Sequence, residues 1–237
     1  MNQLAVILMA SWMAGLTAFA GAVLAKIDCC TESETKREVI HGIMALGGGL
    51  LTSAIALALI PEGLELLSPA TLTITFCAGG LLFCLLDIHL SRHGGSKAQF
   101  VAMLMDFLPE AISLGAVFGH NHKLGILLAA FIGAQNLPEG FNSFREITAS
   151  GVSPRKTLSA LLGISLLGPI AAASGFFFLQ NRPGVTAAIM TFAAGGILYL
   201  IFQDIAPQAQ MKRHWTPALG AVIGFAIGLL GTSLIGI

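Results

Sequence analysis

The sequence predicts an all-α polytopic membrane protein with eight transmembrane helices. Of its 237 residues, 55% are hydrophobic and only 10% are charged, and the mean hydropathy is +0.84. A soluble domain typically has about 25% charged residues, so the composition excludes that class. Two further observations support the prediction: apolar segments of spanning length recur along the chain, and the basic residues between them are unevenly distributed.

The apolar segments are about 20 residues long, which is the length that a helix needs to cross the hydrocarbon core. The first lacks a basic n-region and exceeds the apolar region of a typical signal peptide, so we expect a retained span. The connecting loops are short, and we therefore expect one transmembrane domain over residues 1–237. The predicted spans lie near residues 4–25, 42–66, 71–90, 100–118, 124–144, 157–179, 185–205 and 217–237.

The basic residues predict the orientation in the membrane. Eight spans place both termini on one face, and the odd-numbered loops carry ten of the twelve Lys and Arg residues. Because cytoplasmic loops are enriched in Lys and Arg, these loops are predicted to be cytoplasmic and both termini extracytoplasmic. The zero net charge argues against a nucleic-acid partner. The ten residues are Lys26, Lys36, Arg37, Arg92, Lys97, Arg145, Arg155, Lys156, Lys212 and Arg213.

A glycine-rich motif occurs twice in the chain. Residues 75–83 read TFCAGGLLF and residues 191–199 read TFAAGGILY, and the two runs continue to Asp87 and Asp204. Transporters are often built from duplicated units, whereas glycine-rich apolar helices also resemble one another by chance. The sequence leaves both explanations open.

A second pattern is shared by the fourth and fifth spans, which contain DFLPEA and QNLPEG. A carboxylate at membrane depth is energetically costly and marks a functional site by default. Helical spacing places Asp106 on the same face as Glu110. It likewise places Gln135 and Asn136 close to the face of Glu139. The two spans therefore present carboxylate and amide oxygens in the middle of the protein.

The prolines of this pattern add further oxygens. Pro109 and Pro138 each remove a backbone donor and free a carbonyl about one turn earlier, at Met105 and Ala134. All-oxygen ligation suits Mg²⁺, Mn²⁺ and, less tightly, Zn²⁺ or Fe²⁺, and weak coordination suits an ion that must leave again. The alternative is that each proline is a tolerated kink and each amide links helices.

At these residues the sequence resembles the ZIP (Zrt/Irt-like) family of divalent metal transporters, particularly its bacterial members. The fifth span fits the family pattern of Gln or His, then Asp, Asn or Glu, then x-Pro-Glu-Gly. In the fourth span, Asp106 replaces the family's His, Phe107 its Asn and Ala111 its Gly. The second span, and the seventh span with Gln203 and Asp204, also resemble the family's.

The resemblance implies transport of a divalent metal cation into the cytoplasm, with zinc as the first choice and Mn, Fe, Co or Cd as others. It implies a 3+2+3 arrangement of spans, in which the fourth and fifth belong to a unit that slides against the rest. It also implies a homodimer in the cell (inner) membrane. The metal is then a transported substrate and not a cofactor, and we expect no enzymatic activity.

The sixth span departs from the family pattern. A Glu usually precedes its proline, whereas Gly168 precedes Pro169 here. Together with Phe107, this change removes two ligands of the second metal in the family's two-metal centre. We therefore predict one metal site, and Asp in place of His is expected to favour harder ions. Its predicted ligands are Asp106, Glu110, Gln135 and Glu139, with Asn136 as an additional oxygen donor.

Several polar residues outside this site are expected along the ion pathway or near its ends. They are Glu62 at the outer end of the second span, His120 and His122 in the outer loop between the fourth and fifth spans, His41 on the inner side, and Gln203 and Asp204 at the inner end of the seventh span.

Two other functions are compatible with the sequence. The lost ligands are compatible with a family member that binds or senses metal without transporting it. The carboxylates are also compatible with an intramembrane hydrolase, in which Asp106 and Glu110 or Glu139 act as acid and base. Against the hydrolase, no nucleophile is recognisable and no His accompanies the carboxylates.

Overall fold

A computed structural model describes residues 3–27, 33–93, 96–212 and 214–236. These residues form eight long helices and no β-strand, which confirms the all-α prediction. The helices are α1 (Gln3–Ile27), α2 (Glu34–Leu66), α3 (Pro69–His93), α4 (Ser96–Phe118), α5 (His122–Ala149), α6 (Pro154–Leu179), α7 (Pro183–Ala209) and α8 (Thr216–Ile235).

Seven of these helices are long and apolar enough to cross a membrane. The exception among the eight is α4, which carries Asp106, Pro109 and Glu110. This finding is consistent with the membrane-protein class predicted from composition. Residues 1–2 and 237 lie outside the described residues. The side of the membrane on which the two termini lie stays a prediction.

Some helices differ from the predicted spans at their ends or in their continuity. The second helix begins at Glu34 rather than near residue 42, because the Ser33 hydroxyl accepts a hydrogen bond from the Lys36 N–H at 3.1 Å. The sixth helix, predicted as one span, is interrupted at Leu166. Pro169 follows the interruption and has no N–H to bond the carbonyl four residues earlier.

Prolines also accompany two π-helical segments. In α2 the segment Ile55–Leu59 precedes Pro61, and in α7 the segment Ile201–Ile205 precedes Pro207. The residue after each segment donates its N–H to the first carbonyl of that segment. Proline lacks an N–H and its ring clashes with the preceding turn, so the wider π turn gives the ring room.

The helices pack as two bundles of four. Bundle A contains α1, α4, α5 and α6, and bundle B contains α2, α3, α7 and α8. The two bundles meet mainly where α5 packs against α2 and where α4 packs against α7. The helices that carry the predicted metal ligands, α4 and α5, thus lie at the boundary between the bundles.

Glycines hold four helix pairs close together: α1 with α5, α2 with α8, α3 with α7, and α4 with α6. In each pair, a glycine of each helix lies against a main-chain carbonyl of the other, where a Cβ atom would overlap it. In α1 and α5, for example, Gly140 lies against the Ala18 carbonyl and Gly21 against the Leu137 carbonyl. Small residues at such positions let transmembrane helices approach closely.

The two copies of the glycine-rich motif lie in one of these pairs. Gly79 of α3 lies against the Phe192 carbonyl, and Gly195 of α7 lies against the Phe76 carbonyl. The copies therefore pack on each other through the same motif positions. This packing explains the shared glycines without requiring a common ancestor of the two segments.

Candidate metal site

The five predicted ligands lie on the facing helices α4 and α5. Asp106, Glu110, Gln135 and Asn136 are at most 3% exposed, and Glu139 is partly buried. The Gln135 side chain donates a hydrogen bond from Nε2 to Glu110 Oε2 at 2.7 Å, which joins the two helices directly. Both helices continue through their prolines, Pro109 and Pro138, without the break that such residues often cause.

When they are ionised, the carboxylates of this cluster repel one another. Glu110 is repelled by both Asp106 and Glu139, and Glu139 is also repelled by Asp106. Buried charges are costly unless they are paired or coordinate a metal. A divalent cation among these three side chains would relieve the repulsion.

Three oxygen atoms of the cluster are buried and have no hydrogen-bond partner. They are Asp106 Oδ1, Gln135 Oε1 and Asn136 Oδ1. Buried acceptors are normally satisfied, and an unsatisfied one calls for an explanation such as an ion. The Asn136 amide is held by its nitrogen, which donates to the Ala14 carbonyl at 2.9 Å, so its oxygen remains available.

The amide oxygens of Gln135 and Asn136 add to the oxygen donors that the carboxylates can offer to a cation. Within the described residues, no three His, Cys, Asp or Glu side chains already converge on a point that would hold a metal ion. A cation between α4 and α5 would therefore need Gln135 and Asn136 in addition to the carboxylates. Carboxylate and amide oxygens suit hard or borderline divalent ions.

Phe107 and Gly168, two of the positions that depart from the family pattern, lie in direct contact. A Cβ atom at Gly168 would lie 2.7 Å from Phe107 Cζ, and one at Gly15 of α1 would lie 3.1 Å from the same atom. The Phe107 ring is 2% exposed and fills the space between α1 and α6. The ring thus occupies the room that a larger side chain at position 168 would require.

A cavity of about 200 Å³ adjoins the cluster at the boundary between the two bundles. One face of α5 lines it with Gln135, Glu139, Asn142 and Glu146. Their spacing of four, three and four residues is that of a single helix face. From bundle B, α3 adds Asp87, and α7 adds Asp204 and Gln208.

The cavity includes residues that the sequence prediction missed, namely Asn142, Glu146 and Gln208. Polar residues near the end of a span ordinarily meet water, so their presence alone was no signal. The helical register starting from Gln135 would have found the two on α5. Among the predicted pathway residues, Asp204 lines the cavity, whereas Gln203 is exposed outside it.

The other predicted pathway residues lie apart from the cluster. His120 Nε2 lies 3.7 Å from Glu62 Oε1, so these two residues come together at the end of the molecule opposite the cavity. The ring of His122 packs edge-on against Phe118. His41 Nδ1 lies 2.6 Å from the carbonyl oxygen of Gln208, a residue that also lines the cavity.

Comparison with known proteins supports the resemblance that the motifs indicate. The chain is 29% identical over 147 residues to the zinc transporter GufA of Myxococcus xanthus, a match covering 58% of this chain and 57% of that protein. It is 27% identical over 165 residues to the human zinc transporter ZIP11, covering 57% of this chain and 44% of that protein. It is 28% identical over 126 residues to the zinc transporter zipt-7.1 of Caenorhabditis briggsae, covering 52% and 31%.

These matches span between about a third and just over half of each relative's length. No family model matches the chain. The similarity to ZIP zinc transporters is nevertheless shared by relatives from bacteria, worms and humans, and it confirms the family likeness inferred from the motifs.

Proposed function

We propose that this chain is a ZIP-type transporter that carries a divalent metal cation, with zinc as the first choice, through the site between α4 and α5. The observation that carries the proposal is the cluster of three mutually repelling carboxylates and three unpartnered buried oxygens at one place within the bundle. The names of the relatives, all zinc transporters, support the same substrate class.

The proposed topology has eight spans in a 3+2+3 arrangement, including α4, with extracytoplasmic termini in the cell inner membrane. The 23 residues of α4 would extend about 34 Å at 1.5 Å per residue, enough for a hydrocarbon core of about 30 Å. Contacts along α4 and α6 progress in the same direction, from Phe107 with Gly168 to Gly115 with Ala172. Parallel α4 and α6 fit a chain in which every helix crosses the membrane.

In this proposal the ion is bound by carboxylate oxygens of Asp106, Glu110 and Glu139 and by the amide oxygens of Gln135 and Asn136. The Phe107 ring fills the space beside Gly168, which supports one ion rather than a bridged pair at this centre. The ion leaves through the cavity along α5, towards the basic, odd-numbered loops and hence the cytoplasm.

We further propose that the movement of the ion involves sliding of bundle A against bundle B. The binding cluster lies on bundle A, and the opposite wall of the cavity comes from bundle B. A homodimer is part of the same proposal. The hydrolase alternative is weaker, because no Ser, Thr, Cys or His is found among the described residues that line the cavity.

Uptake of ⁶⁵Zn²⁺ into proteoliposomes tests the proposal. Wild-type protein should accumulate zinc, and Glu139→Ala should abolish the accumulation. Glu34→Gln is a suitable control, since Glu34 is exposed and lies outside the cavity. Zinc binding without flux would favour the binding or sensing alternative, and neither binding nor flux would reject the proposal. Competition by Mn²⁺, Fe²⁺, Co²⁺ and Cd²⁺ in the same assay would rank the substrates.

A further inference from the structure

A second cavity, of about 820 Å³, lies within bundle B between α2, α7 and α8. We call it the groove, to distinguish it from the ion cavity between the bundles. Ile205 of the π segment in α7 lines both spaces, so the two are neighbours across the wall that α2 and α7 form. The volume of the groove falls within the range of about 300–1,000 Å³ that is typical of ligand sites.

The interior of the groove is formed mainly by small and apolar side chains. Ala45 and Gly48 of α2, together with Ala218 and Ala221 of α8, leave its space open. The Thr52 hydroxyl in the α2 wall is already satisfied, because it donates to the Gly48 carbonyl at 2.7 Å. Among the described residues, none of the buried polar side-chain atoms without a partner belongs to the groove. The interior therefore suits a hydrocarbon chain and not an ion or a polar solute.

The mouth of the groove is polar and is formed by the connection between α7 and α8. Met211 and His214 pair across a turn, in which the His214 N–H donates to the Met211 carbonyl at 3.2 Å. His214 Nε2 lies 3.1 Å from Glu34 Oε1, so the turn is tied to the beginning of α2. Lys212 and Trp215 line the groove from this connection, and both are exposed.

The charge at the mouth indicates an anionic headgroup. Glu34 and Glu38 of α2 approach this end of the groove, and both contact His214. Lys212 pairs with no carboxylate in the part of the chain that the structure describes. Trp215 is 84% exposed, and Trp is enriched at the level of lipid headgroups. The connection is one of the basic loops predicted to be cytoplasmic, and the inner leaflet that it faces carries anionic lipids.

We propose that the groove binds one anionic phospholipid of the inner leaflet. An acyl chain lies between α2, α7 and α8, and the lipid phosphate contacts the Lys212 ammonium beside Trp215. The lipid is a bound ligand and not a transported substrate, so the proposal goes beyond metal transport and does not depend on it. Because Ile205 lines both spaces, the acyl chain lies against the wall of the ion cavity.

Native mass spectrometry of the purified full-length protein, titrated with phosphatidylglycerol, tests the proposal. One phosphatidylglycerol per chain should bind at least about tenfold more tightly than phosphatidylcholine with the same acyl chains, as one charge-assisted hydrogen bond provides. Lys212→Gln should remove most of this preference, because it removes the cation and keeps a side chain of similar length. Lys156→Gln, which removes an exposed cation of another basic loop outside the groove, should leave the preference unchanged.

A second pair of variants tests whether the acyl chain lies in the groove. Ala218→Leu enlarges an exposed side chain of the groove wall and should weaken the binding of both lipids. Ala226→Leu makes the same change at an exposed position of α8 outside the groove, and it should have no effect.

Trp215 reports on the same site in a bilayer. The chain has two Trp residues, so Trp12→Phe leaves Trp215 as the fluorophore. Phosphatidylglycerol with brominated acyl chains should quench its fluorescence at a lower mole fraction than brominated phosphatidylcholine does. Lys212→Gln in the same background should abolish the difference.

Two results would overturn the proposal. Equal binding of the two lipids, or binding of several phosphatidylglycerols that neither Lys212→Gln nor Ala218→Leu affects, would show that lipid only surrounds the protein. A dimer that excludes phosphatidylglycerol and is broken by Ala218→Leu would show that a second copy of the chain covers the groove instead. Neither result bears on the central metal site, because the groove contains none of its predicted ligands.

Discussion

The Pro-Glu motifs of α4 and α5 lie on facing helices but differ at their second position. This position is Phe107 in α4 and Asn136 in α5, and both side chains are buried against α1. Asn136 bonds the Ala14 carbonyl with its nitrogen and leaves its oxygen unpartnered. Phe107 instead places its ring against Gly15 and Gly168. One copy leaves a buried oxygen without a partner, and the other packs an aromatic ring.

The comparison shows that a repeated motif does not imply a repeated site. The polar face of α5 continues through Asn142 and Glu146 along the cavity. The Phe107 ring closes the other side of the cluster against α1 and α6. The two motifs therefore share their glutamates and differ in whether they border the cavity or the packed interior.

The largest expected effect comes from the glutamates that the two motifs share, Glu110 and Glu139. Glu110→Gln and Glu139→Gln should each lower zinc uptake in proteoliposomes at least about 100-fold, because loss of groups that merely support a ligand already costs about 10–100-fold. Glu34→Gln should leave uptake unchanged. Near-normal uptake in either variant would show that only one of the motifs binds the ion.

The contact between Phe107 and Gly168 is expected to have the next largest effect. Gly168→Ala should lower the free energy of unfolding by about 1–3 kcal/mol, as overpacking does, because its Cβ would lie 2.7 Å from the ring and 2.9 Å from the Ser11 carbonyl oxygen. Gly163→Ala, on the same helix, is the matched control, since its Cβ would meet nothing within 4 Å. Unfolding titrations with SDS provide the measurement.

A double variant sharpens that test. Phe107→Leu shortens the side chain, so the stability loss in Phe107→Leu/Gly168→Ala should be smaller than the sum of the two single losses. Additive losses would show that the ring and the glycine do not compete for the same space.

At the second position of the α5 motif, Asn136→Leu should weaken zinc binding by roughly tenfold while the protein stays folded. The substitution removes both the oxygen donor and the hydrogen bond to Ala14, and loss of such groups typically costs 10–100-fold in metal affinity. Isothermal titration with Zn²⁺ measures the change. An unchanged affinity would mean that Asn136, like Phe107, serves packing alone.

The smallest expected effect comes from Tyr199, whose hydroxyl bonds Asp87 in the wall of the cavity through which we propose that the ion leaves. Tyr199→Phe removes the hydroxyl that bonds Asp87 and should lower the maximal zinc uptake rate roughly fivefold, in line with a hydrogen bond worth about 1 kcal/mol. Affinity at the central site should not change. A lower affinity with an unchanged maximal rate would contradict a role in release.

The sequence predicts much of this arrangement because its strongest signals are local. Apolar length identifies the helices, and a spacing of four residues brings together Asp106 with Glu110 and Gln135 with Glu139. The π segments could not be predicted, since a proline in a span more often leaves a simple kink. Contact between Phe107 and Gly168 joins residues on separate helices, and no local pattern encodes such packing.

The parallel, glycine-mediated pairs also constrain how the protein is made. Their members are distant in the chain: α1 pairs with α5, α3 with α7, and α2 with α8. During synthesis, the surface of α2 around Gly49 therefore lacks its packing partner until α8, the last of the described helices, has been made. A chain that stops before Thr216 would leave that glycine surface of α2 uncovered.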